Sequence, residues 1–337
     1  MDKIQKKKKI ESIKNKKLSV LITGGAGFIG SNLVSALLSD DRFSFLRVLD
    51  NLSTGSLDNI REYKNHPKFQ FIEGDIRDYQ TCLKACEGID RISHQAALGS
   101  VPRSIKDPIT TNEVNISGTL NIYNAAREKG IDRIVYAASS STYGDNASLP
   151  KKEKNIGNPL SPYAVTKYVM ELYANVFNNL FGIDFIGFRY FNVFGPKQNP
   201  NGAYAAVIPL FFKHAIAGTN PTINGDGSFS RDFTYVSNVV KANILALTSD
   251  KENALNQVYN IACGERNDLN ALWSSIKNIT NSTSVATHGE NRVGDIPHSL
   301  ADISRVKSAL GYEPKVKLEE GLAKSLDWYK LLNKNLA

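Results

Sequence analysis

The chain has 337 residues, long enough for one large core or two unequal domains, and its 42% hydrophobic and 22% charged residues are ordinary for a globular protein. The net charge of +8 does not describe a nucleic-acid-binding surface: residues 1–17 hold eight Lys against Asp2 and Glu11, a local excess of +6, which leaves +2 for the rest. No run approaches the roughly 18 apolar residues of a membrane span, and no apolar stretch with a cleavage site follows the Lys-rich start, so we expect a cytoplasmic protein with a disordered basic tail over 1–17.

The chain then opens on a strand, Leu18 to Thr23, that meets Gly24-Gly25-Ala26-Gly27-Phe28-Ile29-Gly30, and a helix is predicted from Ser31 to Leu38. Strand, Gly-x-x-Gly-x-x-Gly turn and helix together form a dinucleotide-binding pattern. The glycines allow a tight turn and a close backbone approach to a pyrophosphate, and the helix N-terminus offers free N–H groups. A second strand, Leu46–Leu49, ends in Asp50, 20 residues past Gly30. An acidic side chain there binds the adenosine ribose hydroxyls and repels the extra phosphate of NADP; capping of the Asn51–Gly55 turn is the alternative role.

Further strands are predicted at 68–72, 89–94 and 131–138, with helices at 81–85 and 107–129. Strands alternating with helices imply an α/β, Rossmann-type, doubly wound parallel sheet with its site at the strand carboxyl ends. His94 lies inside a strand run and is expected to be structural. The small residues of Gln95-Ala96-Ala97 let a cofactor lie close to the strand end. Cys82 and Cys86 share a helix without a His or second Cys pair, so they and Cys263 are expected to be reduced packing residues, and no metal site is expected.

Ser161 is an N-cap candidate and Pro162 suits the first helical position. Val165, Val169, Leu172, Val176 and Leu180 continue a helix that Gly182 stops. Four residues apart, Tyr163 and Lys167 project from one face. An ammonium beside a phenol lowers the phenol pKa from about 10 and makes Tyr163 a candidate general base or acid. Taken alone, such a pair fits the solvated face of any helix. Beyond residue 183 we expect strands at 185–188 and 258–261, helices at 205–217, 267–280 and 302–333, and a turn at Gly225–Gly227. This gives an NAD-binding domain over 18–188 and a smaller, interleaved substrate domain over 189–337, some of whose segments return to the first part.

The ordered set of His94-Gln95-Ala96-Ala97, Ser139 to Gly144, Ser161 to Lys167, Arg189-Tyr190-Phe191-Asn192, Gly225-Asp226-Gly227 with Arg231-Asp232-Phe233, and Arg292 to Asp302 resembles the extended short-chain dehydrogenase/reductases. The resemblance spans about residues 18 to 330 and is strongest to the NAD-dependent nucleotide-sugar 4-epimerases. It implies that Tyr163 takes the proton of the sugar 4-hydroxyl and that the C4 hydride passes to NAD and returns to the other face of a 4-keto sugar. Lys167 would hold the nicotinamide ribose, and Ser139, with Ser140 beside it, would meet the sugar 4-oxygen. The cofactor would be lined by Gly24, Gly27, Phe28, Ile29, Gly30, Asp50, Asn51, Ser53, Gly55, Asp75, Ile76, Gln95, Ala96, Ala97, Asn115, Tyr163, Lys167 and Tyr190.

The same resemblance places Ser100, Arg103, Ser139, Ser140, Ser141, Asn192, Val207, Asn224, Arg231, Arg292, Asp295 and Ser299 at the substrate. Arg231 and Arg292 would clamp the diphosphate, Asp295 would hold the nucleotide ribose, and Phe229 or Phe233 would lie near the base. Ser299 occupies the gate over the sugar C2 substituent, where a bulky Tyr restricts related enzymes to glucose and galactose and a small residue admits an N-acetyl group. Nucleotide-sugar dehydratases resemble the chain but carry an Asp-Glu pair where Ser140 and Ser141 stand, and UDP-glucuronate decarboxylases carry a Glu at Ser141. Asp50 argues against an NADPH-dependent reductase, and a non-catalytic NAD sensor would need no Tyr163/Lys167/Ser set. The expected activity is 4-epimerisation of UDP-N-acetylhexosamines for surface polysaccharide precursors; UDP-glucose/UDP-galactose and UDP-hexuronic acids are the alternatives. A homodimer through a four-helix bundle is also implied, with the helices near 108–128 and 163–181 contributed by each subunit.

Overall fold

A computed structural model describes residues 16–201, 205–290 and 296–334. The basic tail through residue 15, Arg292 and Asp295 lie outside them. The first half alternates strand and helix: β1 (Leu18–Thr23), α1 (Phe28–Leu38), β2 (Phe43–Asp50), β3 (Phe69–Glu73), α2 (Tyr79–Ala85), β4 (Arg91–His94), α3 (Val101–Lys106), α4 (Pro108–Asn112), a π-helical turn (Glu113–Ser117), α5 (Gly118–Glu128), β5 (Arg133–Ser139), α6 (Pro162–Phe181) and β6 (Asp184–Tyr190). The second half holds β7 (Val193–Phe194), α7 (Val207–Ala217), β8 (Thr222–Asn224), β9 (Ser230–Arg231), β10 (Thr234–Tyr235), α8 (Val236–Thr248), β11 (Gln257–Ile261), β12 (Asn267–Asp268), α9 (Leu269–Thr280), β13 (Thr287–Gly289), α10 (Ser304–Leu310) and α11 (Leu318–Lys334).

Seven strands form one parallel sheet in the order β11-β6-β5-β4-β1-β2-β3. The order reverses between β1 and β4, and in such sheets ligands bind at the strand carboxyl ends where that reversal opens a crevice. Both β1 and β5 are buried along their whole length, as strands covered on two faces must be. On one face Leu33, Val34 and Leu37 of α1 and Val236 and Val239 of α8 share a core that continues into Phe211, Trp273 and Tyr329. On the other, Cys82 of α2, Tyr123 of α5 and Met170 of α6 pack over Leu21 and Ile134. Cys82 and Cys86 are free and buried there as packing residues, and Cys263 is free and buried beside Asn238 and the Val316 carbonyl.

Two expectations need correction and one holds. The stretch 302–333 is two helices, because Gly311 adopts φ +70° and closes α10, and Pro314 follows. The helix expected over 107–129 runs from Pro108 to Glu128 through α4, the π turn and α5 without leaving helical dihedrals, and α3 precedes it as a separate element with Ser100 as N-cap at φ +101°. Phe233 is buried in the shared core and does not offer its ring to a ligand.

Candidate active site

The glycine turn is built from the backbone up. Gly24 sits at φ +70°, and a Cβ on it would lie 2.7 Å from the Ala96 nitrogen; a Cβ on Gly30 would run into the Gly24 carbonyl. Only glycine lets these segments meet. Helix α1 starts at Phe28 with no side chain capping its first turn, so its N–H groups face the crevice at the positive end of the helix dipole. Asp50 holds this turn: one carboxylate oxygen accepts the Ala26 N–H at 2.9 Å and the other the Leu52 N–H at 2.8 Å. Burial raises its pKa, and the backbone N–H groups act against the rise. The ribose-binding and turn-capping roles weighed from the sequence are therefore compatible in geometry, since each oxygen keeps a second lone pair.

A cleft of about 350 Å³ runs from this turn along the ends of β1, β4 and β5. Of the cofactor residues expected from the sequence, Gly24, Gly27, Phe28, Ile29, Gly30, Asp50, Asn51, Ser53, Asp75, Ile76, Gln95, Ala96, Ala97, Tyr163, Lys167 and Tyr190 line it. Gly55 and Asn115 do not. Gly55 packs behind the turn, where a Cβ would come within 2.7 Å of Ala26. Asn115 is buried and spends its amide on the Leu98 N–H (2.8 Å), the Leu98 carbonyl (3.2 Å) and Thr166 Oγ1 (3.0 Å), pinning the β4 loop to α6. The sequence reading missed Thr54, Leu98, Gly99 and Val114 of the lining, and also Ala137 and Ala138, whose small size at a strand end was the available signal.

At the far end of the cleft Ser161 caps α6 by accepting the Ala164 N–H at 3.1 Å. Tyr163 and Lys167 face the cleft from the first turns of that helix. The Lys167 ammonium donates to the Ala137 carbonyl at 2.7 Å, and burial brings its pKa down to about 7. The lowered Tyr163 pKa expected from a neighbouring ammonium is not found in the chain by itself. Burial raises it, a hydrogen bond with Ser139 acts the other way, and Lys167 is turned to the strand. Ser139 Oγ accepts from the Ser141 N–H (3.1 Å) and the Ser141 hydroxyl (2.9 Å), so its own proton stays available toward the cleft. Ser139 lines the cleft; Ser140 and Ser141 do not.

His94 is a core residue, as expected. It is fully buried between Thr23 Oγ1 (2.7 Å) and Thr119 Oγ1 (2.9 Å), and burial drives its pKa down to about 3. Asp75 accepts Arg77 and Asn51, which hold its carboxyl at about 2.

The expected substrate residues Ser100, Arg103, Asn192, Val207, Asn224, Arg231 and Ser299 lie outside the lining of this cleft. Two of them are brought together. The Ser299 N–H donates to the Ser230 carbonyl at 3.0 Å, and Arg231 of β9 donates to the Pro297 carbonyl at 3.1 Å. Asn192, at φ +36°, donates to the Asp232 carbonyl at 3.2 Å. Val207 opens α7, Asn224 ends β8 opposite Gly289, and the Ser100 hydroxyl accepts the Arg103 N–H at 3.3 Å. Among the described residues no group of acids, cysteines and histidines is arranged to hold a metal ion. No helix among them is long and apolar enough to cross a membrane.

An uncapped helix start, a cradle that any Cβ would fill and a buried acid at the second strand end together fit a dinucleotide. Comparison with known proteins agrees. The model of the NAD dependent epimerase/dehydratase family matches residues 20–262. UDP-glucose 4-epimerase of Mycolicibacterium smegmatis is 36% identical over 315 residues, covering 93% of this chain and 99% of its own. A solved UDP-N-acetylglucosamine 4-epimerase from Methanobrevibacter ruminantium, in complex with UDP-N-acetylmuramic acid, superposes with a TM-score of 0.88 at 39% identity and covers 94% of this chain and 99% of its own. A mutant UDP-glucuronic acid 4-epimerase from Bacillus cereus, in complex with UDP-4-deoxy-4-fluoro-glucuronic acid and NAD, gives 0.86 at 30% identity over 94% of this chain and 100% of its own.

Proposed function

The chain belongs to the NAD dependent epimerase/dehydratase family, and on that premise we propose that it interconverts UDP-N-acetylglucosamine and UDP-N-acetylgalactosamine at C4. Its cofactor is NAD, and at the coarser level it is an NAD-dependent nucleotide-sugar 4-epimerase. The observation that carries the finer reading is Ser299, a small residue on a segment fixed to Ser230 and Arg231. UDP-glucose and UDP-glucuronate 4-epimerases are also among the similar proteins, so the sugar is where this reading is exposed to test.

The glycine turn and the α1 N-terminus would hold the pyrophosphate, Asp50 would take ribose hydroxyls, and Lys167 would hold the second ribose. When bound, NAD supplies the reversible oxidation at C4. Tyr163 takes the 4-hydroxyl proton as the 4-keto sugar forms and returns it after the sugar turns over. Burial holds the Tyr163 phenol above its ordinary pKa in the chain alone, and the positive charge that bound oxidised NAD would supply acts in the opposite direction, toward the phenolate. Ser139, oriented by Ser141, hydrogen-bonds the 4-oxygen and steadies it in both states. With Ser140 and Ser141 in place of an acid pair, no side chain there eliminates water from the sugar.

The protein acts as a homodimer through a four-helix bundle. Val165, Leu172, Val176 and Leu180 form an exposed stripe along α6, and Ile105 and Ile109 of the adjoining α3 and α4 are 62% and 72% exposed. Apolar residues at such spacing are a helix-pairing face. Sedimentation should give twice the chain mass; a monomer at micromolar concentration removes the bundle.

The enzyme is tested by incubating it with UDP-N-acetylglucosamine and no added reductant. The galacto epimer should appear by NMR. Absence of an epimer from both the acetylated and the plain hexose overturns the proposal.

A further inference from the structure

A buried polar network runs from α6 to the Ser299 segment. Glu171, one turn beyond Lys167, accepts Arg189 bidentately at 2.9 and 2.7 Å, with both side chains about 95% buried. The third arm of Arg189 donates to the Glu153 carbonyl at 3.0 Å, and its guanidinium lies 4.8 Å from the Tyr143 ring centroid. The Tyr143 hydroxyl donates to Asn260 Oδ1 at 2.6 Å, and the Asn260 N–H donates to the Glu153 carboxylate at 3.1 Å. Asn260 Nδ2 then donates to the carbonyls of Lys151 (2.8 Å) and Asp302 (3.0 Å). Lys151 completes the path with a bridge to Ala301, its N–H on the Leu300 carbonyl at 2.7 Å and its carbonyl accepting the Asp302 N–H at 2.9 Å.

The hydrogen bonds of residues 297–302 to the rest of the described chain go two ways. One set reaches residues 230–232: Ser299 to Ser230, Arg231 to Pro297, and the Ala301 N–H to Asp232 at 3.2 Å. That set runs through Asp232, whose carboxylate also accepts the N–H groups of Cys263 (2.9 Å) and Gly264 (3.0 Å) just past β11. The second set, through Lys151 and Asn260, continues by side chains through Tyr143 and Arg189 to Glu171 on the helix that carries Tyr163. Buried ion pairs seldom add net stability over apolar packing, and their best-attested use is to fix one arrangement among several. Each member of this network is satisfied by the next, which makes it stiff.

We propose that the network centred on Arg189 and Asn260 is a specificity device that holds the Ser299 segment in register with the Tyr163 helix and thereby sets the C2 substituent the site accepts. Arg189, Asn260 and Tyr143 are positioning residues; none touches the reacting atoms. The proposal rests on the epimerase reading above. Its step is purely geometric: loosening the register lets the gate relax, and the acetylated and plain hexoses are affected unequally.

Tyr143→Phe deletes a single hydroxyl, the donor to Asn260, and leaves the ring under Arg189. In this variant NAD content should match wild type, while the ratio of kcat/KM for UDP-N-acetylglucosamine to that for UDP-glucose shifts about fivefold, the size of one lost buried hydrogen bond. A ratio equal to wild type, whether or not the melting temperature falls, overturns the proposal, because a merely structural role lowers both substrates together. Should Tyr143→Phe fold poorly, the double variant Glu171→Leu/Arg189→Met, which removes both buried charges together, serves with the same expectation. Wild-type protein inactive on both sugars would instead sink the functional reading, a different result from an active wild type with an unmoved ratio.

Discussion

The two sides of the site are made differently. The cofactor side is mostly backbone: the ends of the parallel strands β1, β2 and β4, glycines that admit no Cβ, and an uncapped helix start, all within 100 residues of the beginning of β1. The proposed sugar side is assembled from two-residue strands and isolated bridges whose backbone hydrogen bonds join residue 230 to 299 and 151 to the 300–302 stretch. Where the backbone does the binding, residue type follows from sterics, and the ligand class follows from residue type. Where side chains on distant loops do it, one substitution changes the ligand without changing the fold.

The largest effect should fall where the two sides meet. Tyr163→Phe is expected to keep bound NAD, seen in the absorbance spectrum, and to lose turnover by about 10²–10⁴-fold, the range of a lost general acid–base group. Near-normal turnover would mean that another group is the base. Next, Gly24→Ala attacks the backbone side alone. With φ +70° and a Cβ pressed to 2.7 Å from the Ala96 nitrogen, it should cut NAD occupancy and destabilise the fold by about 1–3 kcal/mol. Full NAD content by absorbance in that variant would break the picture of a cradle closed to side chains.

Ser299→Tyr attacks the sugar side alone. Kinetics with both sugars should show the acetylated substrate suppressed about 10–100-fold while UDP-galactose turns over as before, the scale on which pocket size discriminates. The reverse order of losses would remove Ser299 from the gate. The effect that is smallest at neutral pH, where it vanishes, concerns His94. Its folded pKa of about 3 lies below the ordinary 6.5, so its contribution is fully present above pH 6.5 and is lost as pH falls toward 3. Relative to a His94→Gln variant, wild type should lose about 1.4 kcal/mol per pH unit through that window in urea unfolding. Parallel curves for the two proteins would show that His94 is not held neutral.

Legibility in the sequence followed the same division. The spacing of Gly24, Gly27, Gly30 and Asp50 placed the cofactor crevice because each position answers a local backbone demand, and the alternating elements placed the sheet. The N-cap Ser161 and Pro162 placed Tyr163 and Lys167 on one face. Electrostatics was less legible: nothing in a Tyr-x-x-x-Lys spacing reveals that the ammonium turns to Ala137 or that burial raises the Tyr163 pKa against the Ser139 hydrogen bond. Gly55 and Asn115 look like lining residues in sequence but serve from behind, because a one-dimensional pattern does not say which side of a loop faces the ligand. The break at Gly311 was legible in principle, with Pro314 three residues on, yet the apolar periodicity ran across it. The Arg189–Asn260 network, whose side-chain bonds join residues 18 to 117 apart, had no local signature at all.

The sugar preference is tested most directly by giving the wild-type protein equal concentrations of UDP-N-acetylglucosamine and UDP-glucose in one tube and following both epimers by proton NMR. The account predicts that both galacto products form and that the acetylated one forms faster. Equal or faster conversion of UDP-glucose would contradict it.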